Sequence, residues 1–211
     1  MTGIATTTPD TVWYAAYGSN LDPDRFRCYL VGGCPPGAAR TYPGAREPGE
    51  PLDDPPFRMD GRVAFAWRSP TWGGGVAFHE PQADGETLAR AYLVTAAQFA
   101  DVLEQEMGRE PGVDHDLDEV LAGGRQAVGP GRYETVHLVG ELDGRPVLTF
   151  SSPDVEPLGL RSPAPAYVAT MARGLRDTHA LEDDEIADYL LDCPGAAQEW
   201  TRASLLDLLA A

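Results

Sequence analysis

Few residues in this chain are placed for acid–base chemistry, and Glu106 is the first to consider. Thr95 and Gln98 form a capping box that opens a helix running to about Met107. The apolar positions of that helix are Phe99, Val102, Leu103 and Met107, at i, i+3, i+4 and i+8. This is the spacing of a core-facing stripe. Glu106 follows Phe99 by seven positions, within about 20° of it around the helix, inside the stripe. Glu104 falls on the opposite side and is expected in solvent. A carboxylate drawn into an apolar stripe is costly unless it is hydrogen-bonded. Desolvation raises its pKa toward the range of a general base. The alternative is that Glu106, in a fraying last turn, simply reaches water.

A second stretch is AAYGSNL, Ala15 to Leu21. An apolar run stops there at Tyr17-Gly18-Ser19-Asn20, four residues rich in short polar groups and backbone N–H donors. Either this is a plain strand-to-helix turn with Asn20 near a cap, or it cradles something small and polar. Other candidates are weaker. Ser19 lacks a G-x-S-x-G elbow, and no histidine stands out as its base. His79, His115, His137 and His179 lie far apart with no ligand spacing. Asp114-His115-Asp116 with Asp118 reads as a solvated loop rather than a cation site. Trp72-Gly73-Gly74-Gly75 reads as a tight turn or a backbone-lined wall rather than a phosphate loop, because no G-x-G-x-x-G pattern opens a helix there. Cys28, Cys34 and Cys193 form no CxxC pair and are expected as small buried hydrophobes.

Composition removes whole classes of chemistry. The net charge is −17, which opposes nucleic acid and anionic membranes as partners. All sixteen cations are arginine. Without lysine there is no pyridoxal Schiff base, no Walker A loop and no Ser–Lys dyad. Met1 to Thr11 is polar, with no signal-peptide pattern. No apolar run approaches the roughly 18 residues of a spanning helix. The expectation is a cytoplasmic protein acting on a small molecule, with its oligomeric state open.

These residues must be positioned by the elements around them. Val12 to Ala16 reads as a buried strand. Asp22 offers an N-cap and Pro23 a first helical residue, for a short helix stopped by Gly32-Gly33. Gly37 to Arg58 reads as a long loop. Arg62 to Trp67 and Gly75 to His79 read as strands, with Asp84-Gly85 as a hairpin turn into Leu88 to Val94. Pro111 to Pro130 is an excursion with one helical turn. Tyr133 to Val139 and Arg145 to Phe150 pair across Asp143-Gly144. Helices follow over Ala164 to Arg176, Asp183 to Leu191 and Ala196 to Leu209. The pattern predicts an α+β fold, a mostly antiparallel sheet curled toward a barrel with flanking helices. Residues 12–180 form the expected domain, and 181–211 a helical extension packed on it.

With Tyr17-Gly18-Ser19-Asn20-Leu21 at the end of the first strand and Glu106 on an inward helix face, the sequence resembles the gamma-glutamylcyclotransferase-like family. That family shows a YGSNL signature, and a catalytic glutamate on a later helix. Further matches follow in order: Phe65 to Ala77 with Ser69 and the Trp72-Gly-Gly-Gly-Val-Ala run, Leu103-Glu104-Gln105-Glu106, Gly131-Arg132-Tyr133, and Pro163 to Leu175 with Tyr167. Met107-Gly108 follows the glutamate where the family often has Gly and then an aromatic or Val, so Glu104 is the alternative register. The Arg109 to Pro130 excursion is longer than in compact members.

The resemblance implies a cofactor-independent, metal-independent enzyme that releases 5-oxoproline and a free amine from a γ-glutamyl amide. The substrate's α-amine would attack its own γ-carbonyl, a five-membered ring closure that needs only the right rotamer and proton management. Glu106 would be general base and then acid. Backbone N–H groups from Gly18 to Leu21 would bind the oxyanion or the α-carboxylate, with Gly18 allowing close approach. Tyr17 and Tyr167 would wall the pocket and donate hydroxyls. The alternatives are a non-catalytic ligand-binding domain on the same fold, and a biosynthetic enzyme that removes a γ-glutamyl cap.

Overall fold

In a computed structural model, residues 9–35 and 40–211 are described. The first residues of the Met1–Thr11 segment and the first of the Gly37–Arg58 loop lie outside them. The fold is α+β, with a mostly antiparallel sheet flanked by helices. Its strands are β1 (Thr11–Ala16), β2 (Pro56–Asp60), β3 (Arg62–Ala66), β4 (Val76–Glu80), β5 (Glu86–Thr95), β6 (Arg125–Ala127), β7 (Thr135–Leu142) and β8 (Arg145–Ser151). The helices are α1 (Pro23–Val31), α2 (Ala96–Glu106), α3 (Asp118–Gly123), α4 (Pro165–His179), α5 (Asp183–Asp192) and α6 (Arg202–Leu209).

Six strands form one sheet in the order β2-β5-β1-β8-β7-β6, and β3 and β4 form a separate antiparallel pair. Among the described strands, β1 runs parallel to β8 and the other ladders are antiparallel. β1 is buried along almost its whole length because both faces of the sheet are covered. Val12, Tyr14 and Ala16 enter one apolar cluster with Phe26 of α1 and Phe99, Val102 and Leu103 of α2. Trp13, Ala15 and Tyr17 enter the other, with Phe65, Phe78, Met171 of α4, Ile186 of α5 and Leu205 of α6. The strand's two-residue alternation thus feeds two cores rather than one core and water.

Local signals set the helix starts. Asp22 caps α1, its Oδ1 accepting from the N–H groups of Asp24 and Arg25, with Pro23 at the first helical position. Thr95 and Gln98 make both halves of the capping box of α2.

Partners in the sheet differ from expectation. Asp84-Gly85 does not close a hairpin between β4 and β5. β4 pairs with β3, while β5 pairs with β1 and β2. The strand against β5 is Pro56–Asp60, the end of the stretch read as a loop; its proline sits at the first position of an edge strand, where no ladder donor is required. The excursion holds α3 and also β6, which pairs with β7. The last expected helix is interrupted. Ala196–Gln198 is a short 3-10 turn after Gly195, whose φ is 96°, and α6 starts afresh from a capping box at Thr201 and Ser204. Of the cysteines only Cys193 is buried; Cys28 is half-buried and Cys34 exposed.

The glycine run after Trp72 is a backbone-to-backbone seam. Gly75 donates to Ser162 O at 2.8 Å, and a Cβ on it would lie 2.0 Å from Arg161 O. That contact pins the start of β4 against the segment entering α4, and so joins two walls of the cavity described next.

Candidate active site

The turn after β1 sits between α1 and α4. Ser19–Leu21 forms one 3-10 turn, closed by Leu21 N–H donating to Gly18 O at 3.0 Å. Asp22 follows it and accepts from Arg173 of α4 at 2.8 Å. Leu21 itself is fully buried in the core, and α4 presses so closely that a Cβ on Gly174 would lie 2.4 Å from the Leu21 carbonyl carbon. Among the described residues Leu21 is not part of the lining of the cavity described next, and its N–H is occupied by the turn. Both facts correct its assignment to ligand binding.

The other six sequence-derived candidates, Tyr17, Gly18, Ser19, Asn20, Glu106 and Tyr167, line one cavity of about 160 Å³. Asn20 Nδ2 donates to Glu106 Oε1 at 2.9 Å and to the Tyr14 hydroxyl at 3.3 Å. The Asn20 carbonyl accepts from the Tyr92 hydroxyl at 2.9 Å. Asn20 is thus fixed from behind, and its amide holds the half-buried carboxylate at the C-terminal end of α2. Its Oδ1 is buried without a hydrogen-bond partner.

Tyr17 and Tyr167 divide the expected roles. The Tyr17 hydroxyl donates to Phe150 O at 2.9 Å, so its proton is spent on the scaffold. The Tyr167 hydroxyl instead accepts from Ala77 N–H at 3.0 Å and is also approached by the Ser19 N–H. Its own proton finds no acceptor among the described residues. Burial, reinforced by the charge of Glu106, pushes the Tyr167 phenol up to about 12, which keeps it a donor at neutral pH. Gly18 serves this hydroxyl. Its φ of −112° is open to other residues, but a Cβ there would lie 2.8 Å from Tyr167 Oη. The glycine is needed for the close approach of a side chain, whereas the sequence suggested approach of a ligand.

Several residues that the sequence did not single out complete the cavity. Ala77 of β4 is a hinge point for two phenols, donating to Tyr167 and accepting from Tyr133 at 2.7 Å. Arg25 of α1 is buried, with its guanidinium 4.6 and 4.5 Å from the ring centres of Tyr29 and Tyr42. Its Nη2 donates to both hydroxyls, at 2.9 and 2.7 Å. Its Nε and Nη1 have no hydrogen-bond partner. Burial works against the Arg25 charge, but Tyr29, Tyr42 and Glu106 outweigh it and hold the group protonated. Tyr14 and Tyr29 are driven well above the ordinary tyrosine range, first by burial and then by the Glu106 charge. Arg25 sits four residues after the YGSNL stretch, and an arginine within an otherwise apolar helix face was the signal available in the sequence.

Glu104 is the clearest correction. It is 3% exposed rather than solvated. Arg109 grips it through two nitrogens at 2.5 and 2.9 Å, and His115 Nε2 lies 2.9 Å from it. Arg109 also reaches buried Glu134 at 2.6 Å. The Arg109 hydrogen bonds hold the Glu104 carboxyl below the usual range. Helical phase did set Glu104 away from Phe99, but the excursion folds back over that face and supplies its partners. His115 therefore belongs to this network rather than to a solvated loop, while Asp114 pairs with Arg46 at 2.6 Å. Among the described residues no histidine lines the cavity beside Ser19.

No protein-family model matches the chain. A curated Arabidopsis thaliana protein described as histone deacetylase 5 is 31% identical over 201 residues, covering 85% of this chain and 30% of that protein. The chain thus spans under a third of the length of this relative. A solved structure of an uncharacterized human protein matches with a TM-score of 0.51 and 15% identity, over 96% of this chain and 100% of that one. A solved γ-glutamyl cyclotransferase matches at 0.48 and 15% identity, over 95% of this chain and 98% of that one. A yeast γ-glutamyl cyclotransferase specific to glutathione matches at 0.36 and 12% identity, over 96% of each chain. The last two are too distant in shape to carry an argument, and what the human structure establishes is a shared α+β fold.

Proposed function

We propose that this chain is a γ-glutamyl cyclotransferase, releasing 5-oxoproline and a free amine from a γ-glutamyl amide. The observation that carries the reading is Glu106, held at 2.9 Å by Asn20 in the cavity formed by the Tyr17–Asn20 turn and Tyr167. Glu106 takes a proton from the substrate's α-ammonium group. The freed amine attacks the γ-carbonyl, a C–N bond forms, and the ring closes intramolecularly. The same carboxylic acid gives that proton to the leaving nitrogen as the amide C–N bond breaks. The second proton, shed by the attacking nitrogen as the lactam forms, follows the same route, so that the amine departs as an ammonium. Because the Leu21 N–H closes the turn, stabilisation of the oxyanion falls to the Tyr167 hydroxyl and the remaining N–H groups of the turn. Arg25, with two unused donor nitrogens, suits the substrate's α-carboxylate.

No metal or cofactor is assigned a role. The chain spans under a third of the plant relative's length, so the activity in that relative's name is not carried to this chain.

The test is mass-spectrometric detection of 5-oxoproline from γ-glutamyl amino acids, γ-glutamyl amines and glutathione. Glu106→Gln should keep the fold by circular dichroism and lower turnover by about 10²–10⁴-fold, the usual weight of a general acid–base group. Full activity in that variant, or no 5-oxoproline from any substrate, would overturn the proposal.

A further inference from the structure

Arg109 joins two walls of the cavity from behind. The lining passes through Glu106, Met107 and Gly108 and stops short of it. α2 ends there in a Schellman turn. Gly108, with a φ of 76°, donates to Gln105 O at 3.0 Å, and the Arg109 N–H donates to Glu104 O at 2.9 Å. This reversal folds the Arg109 side chain back onto Glu104, two residues before Glu106. The Nη2 that meets Glu104 also lies 2.6 Å from Glu134 Oε1. Buried Glu134 organises the turn before β7. Its Oε2 accepts the Gly131 N–H, and a Cβ on Gly129 or Gly131 would lie 2.4 or 2.2 Å from its carboxylate oxygens. That turn carries Tyr133, whose hydroxyl donates to Ala77 O, while Ala77 N–H donates to the Tyr167 hydroxyl. A line of contacts thus runs from the end of α2 through one guanidinium to Tyr133, Ala77 and Tyr167. No ladder sets this spacing: α2 follows β5, the turn precedes β7, and β1 and β8 stand between those strands.

Resting on the cyclotransferase reading, we infer that Arg109 is a positioning residue for the reaction. By bridging Glu104 and Glu134 it fixes the span between Glu106, which moves the protons, and the Tyr133–Ala77–Tyr167 wall, which presents the oxyanion donor. Both must meet one substrate at once, and a displacement of about 1 Å in such a constellation costs about 10²-fold in rate. Lysine at this position keeps the charge beside the buried carboxylates, but its ammonium is a point charge and does not reproduce the planar fork.

The experiment uses Arg109→Lys in the full chain. Its kcat and KM are measured on the γ-glutamyl substrate that yields most 5-oxoproline, and hydrogen exchange of the Ala77 amide is followed by NMR. The kcat should fall by about 10- to 100-fold, with KM within about threefold of wild type. The Ala77 N–H should exchange about tenfold faster while amides in the middle of β1 keep their wild-type rates. Arg109→Met, which leaves both buried carboxylates unpaired, should lose more, and lysine should recover part of that loss; if the methionine variant does not fold, the lysine variant carries the test. Wild-type kcat in Arg109→Lys, a loss confined to KM, or an unchanged Ala77 rate overturns the proposal. So does faster exchange shared equally by Ala77 and β1, the mark of an ion pair that only stabilises the fold. Absence of 5-oxoproline from the wild type, with Ala77 exchange that still depends on Arg109, would sink the cyclotransferase reading and keep the bridge between the two walls.

Discussion

The contact between Gly18 and Tyr167 yields a sharp test of how this cavity is built. Alanine at position 18 would place its Cβ 2.8 Å from Tyr167 Oη and 3.3 Å from the Ala77 Cβ. An ordinary contact begins near 3.4 Å, so the hydroxyl must retreat by about 0.6 Å. If the retreat runs along the 3.0 Å hydrogen bond from Ala77 N–H, that bond stretches to roughly 3.6 Å and is lost. Overpacking and one unsatisfied buried donor together predict that Gly18→Ala costs about 1–3 kcal/mol. Tyr167→Phe also strands the Ala77 donor and should cost about 1–3 kcal/mol. The double variant shares that loss and loses the clash, because the next Tyr167 atom, Cζ, is 3.9 Å from the new Cβ. The two substitutions should therefore fall short of additivity by about 1–2 kcal/mol. Urea unfolding of the four proteins measures this directly, with stability read from the midpoints at a shared slope. Additivity within about 0.5 kcal/mol would refute the claim that the glycine exists to admit the hydroxyl.

Further outcomes concern charge. Glu104 has a folded pKa below its ordinary value of 4.5, so its contribution is complete above that value and is lost as pH falls through the folded pKa. Acid titration of stability should show this loss below about pH 4.5, and Glu104→Gln should be less stable at neutral pH with a flatter acid limb. His137 behaves in the opposite chemical sense with the same slope. Burial lowers it from 6.5 to about 4, so the unfolded chain binds more protons between those values and stability rises with pH across that window. That lowering corresponds to at most about 3–4 kcal/mol. His137→Gln should flatten stability between pH 4 and 6.5, and an NMR titration placing the wild-type ring near 6.5 would contradict the reasoning.

Arginine does different work at different depths here. On the surface, pairs such as Arg27 with Glu50 are exposed on both sides and add little to stability. Arg109 joins two buried carboxylates, Glu104 and Glu134, and so ties the excursion to α2 beside Glu106. A lysine could not span both with a planar fork. In the cavity, Arg25 and Arg132 are stacked on aromatic rings and carry no carboxylate partner.

What the sequence by itself determined is what depends on neighbours a few residues apart. The capping pairs Asp22–Pro23 and Thr95–Gln98, the phase of Glu106 relative to Phe99, and the alternation of β1 are all local, and each is present in the structure. The α+β class followed from the order of those local elements. Only the tertiary structure decided which strands pair. β5 finds β2 and β1 rather than β4, because hydrogen-bonding strands present the same alternation to any partner. It also decided the environment of polar side chains. Phase gave Glu104 its direction, but not Arg109 and His115 arriving over it from the excursion. Likewise Asn20 and Glu106 are 86 residues apart in sequence, and the hydrogen bond between them exists because the turn after β1 leads into α1, which shares an apolar cluster with α2. Arg25, Tyr133 and Ala77 joined the cavity through contacts of that kind. Periodicity reports which way a side chain points, and only the packed chain reports what it meets there.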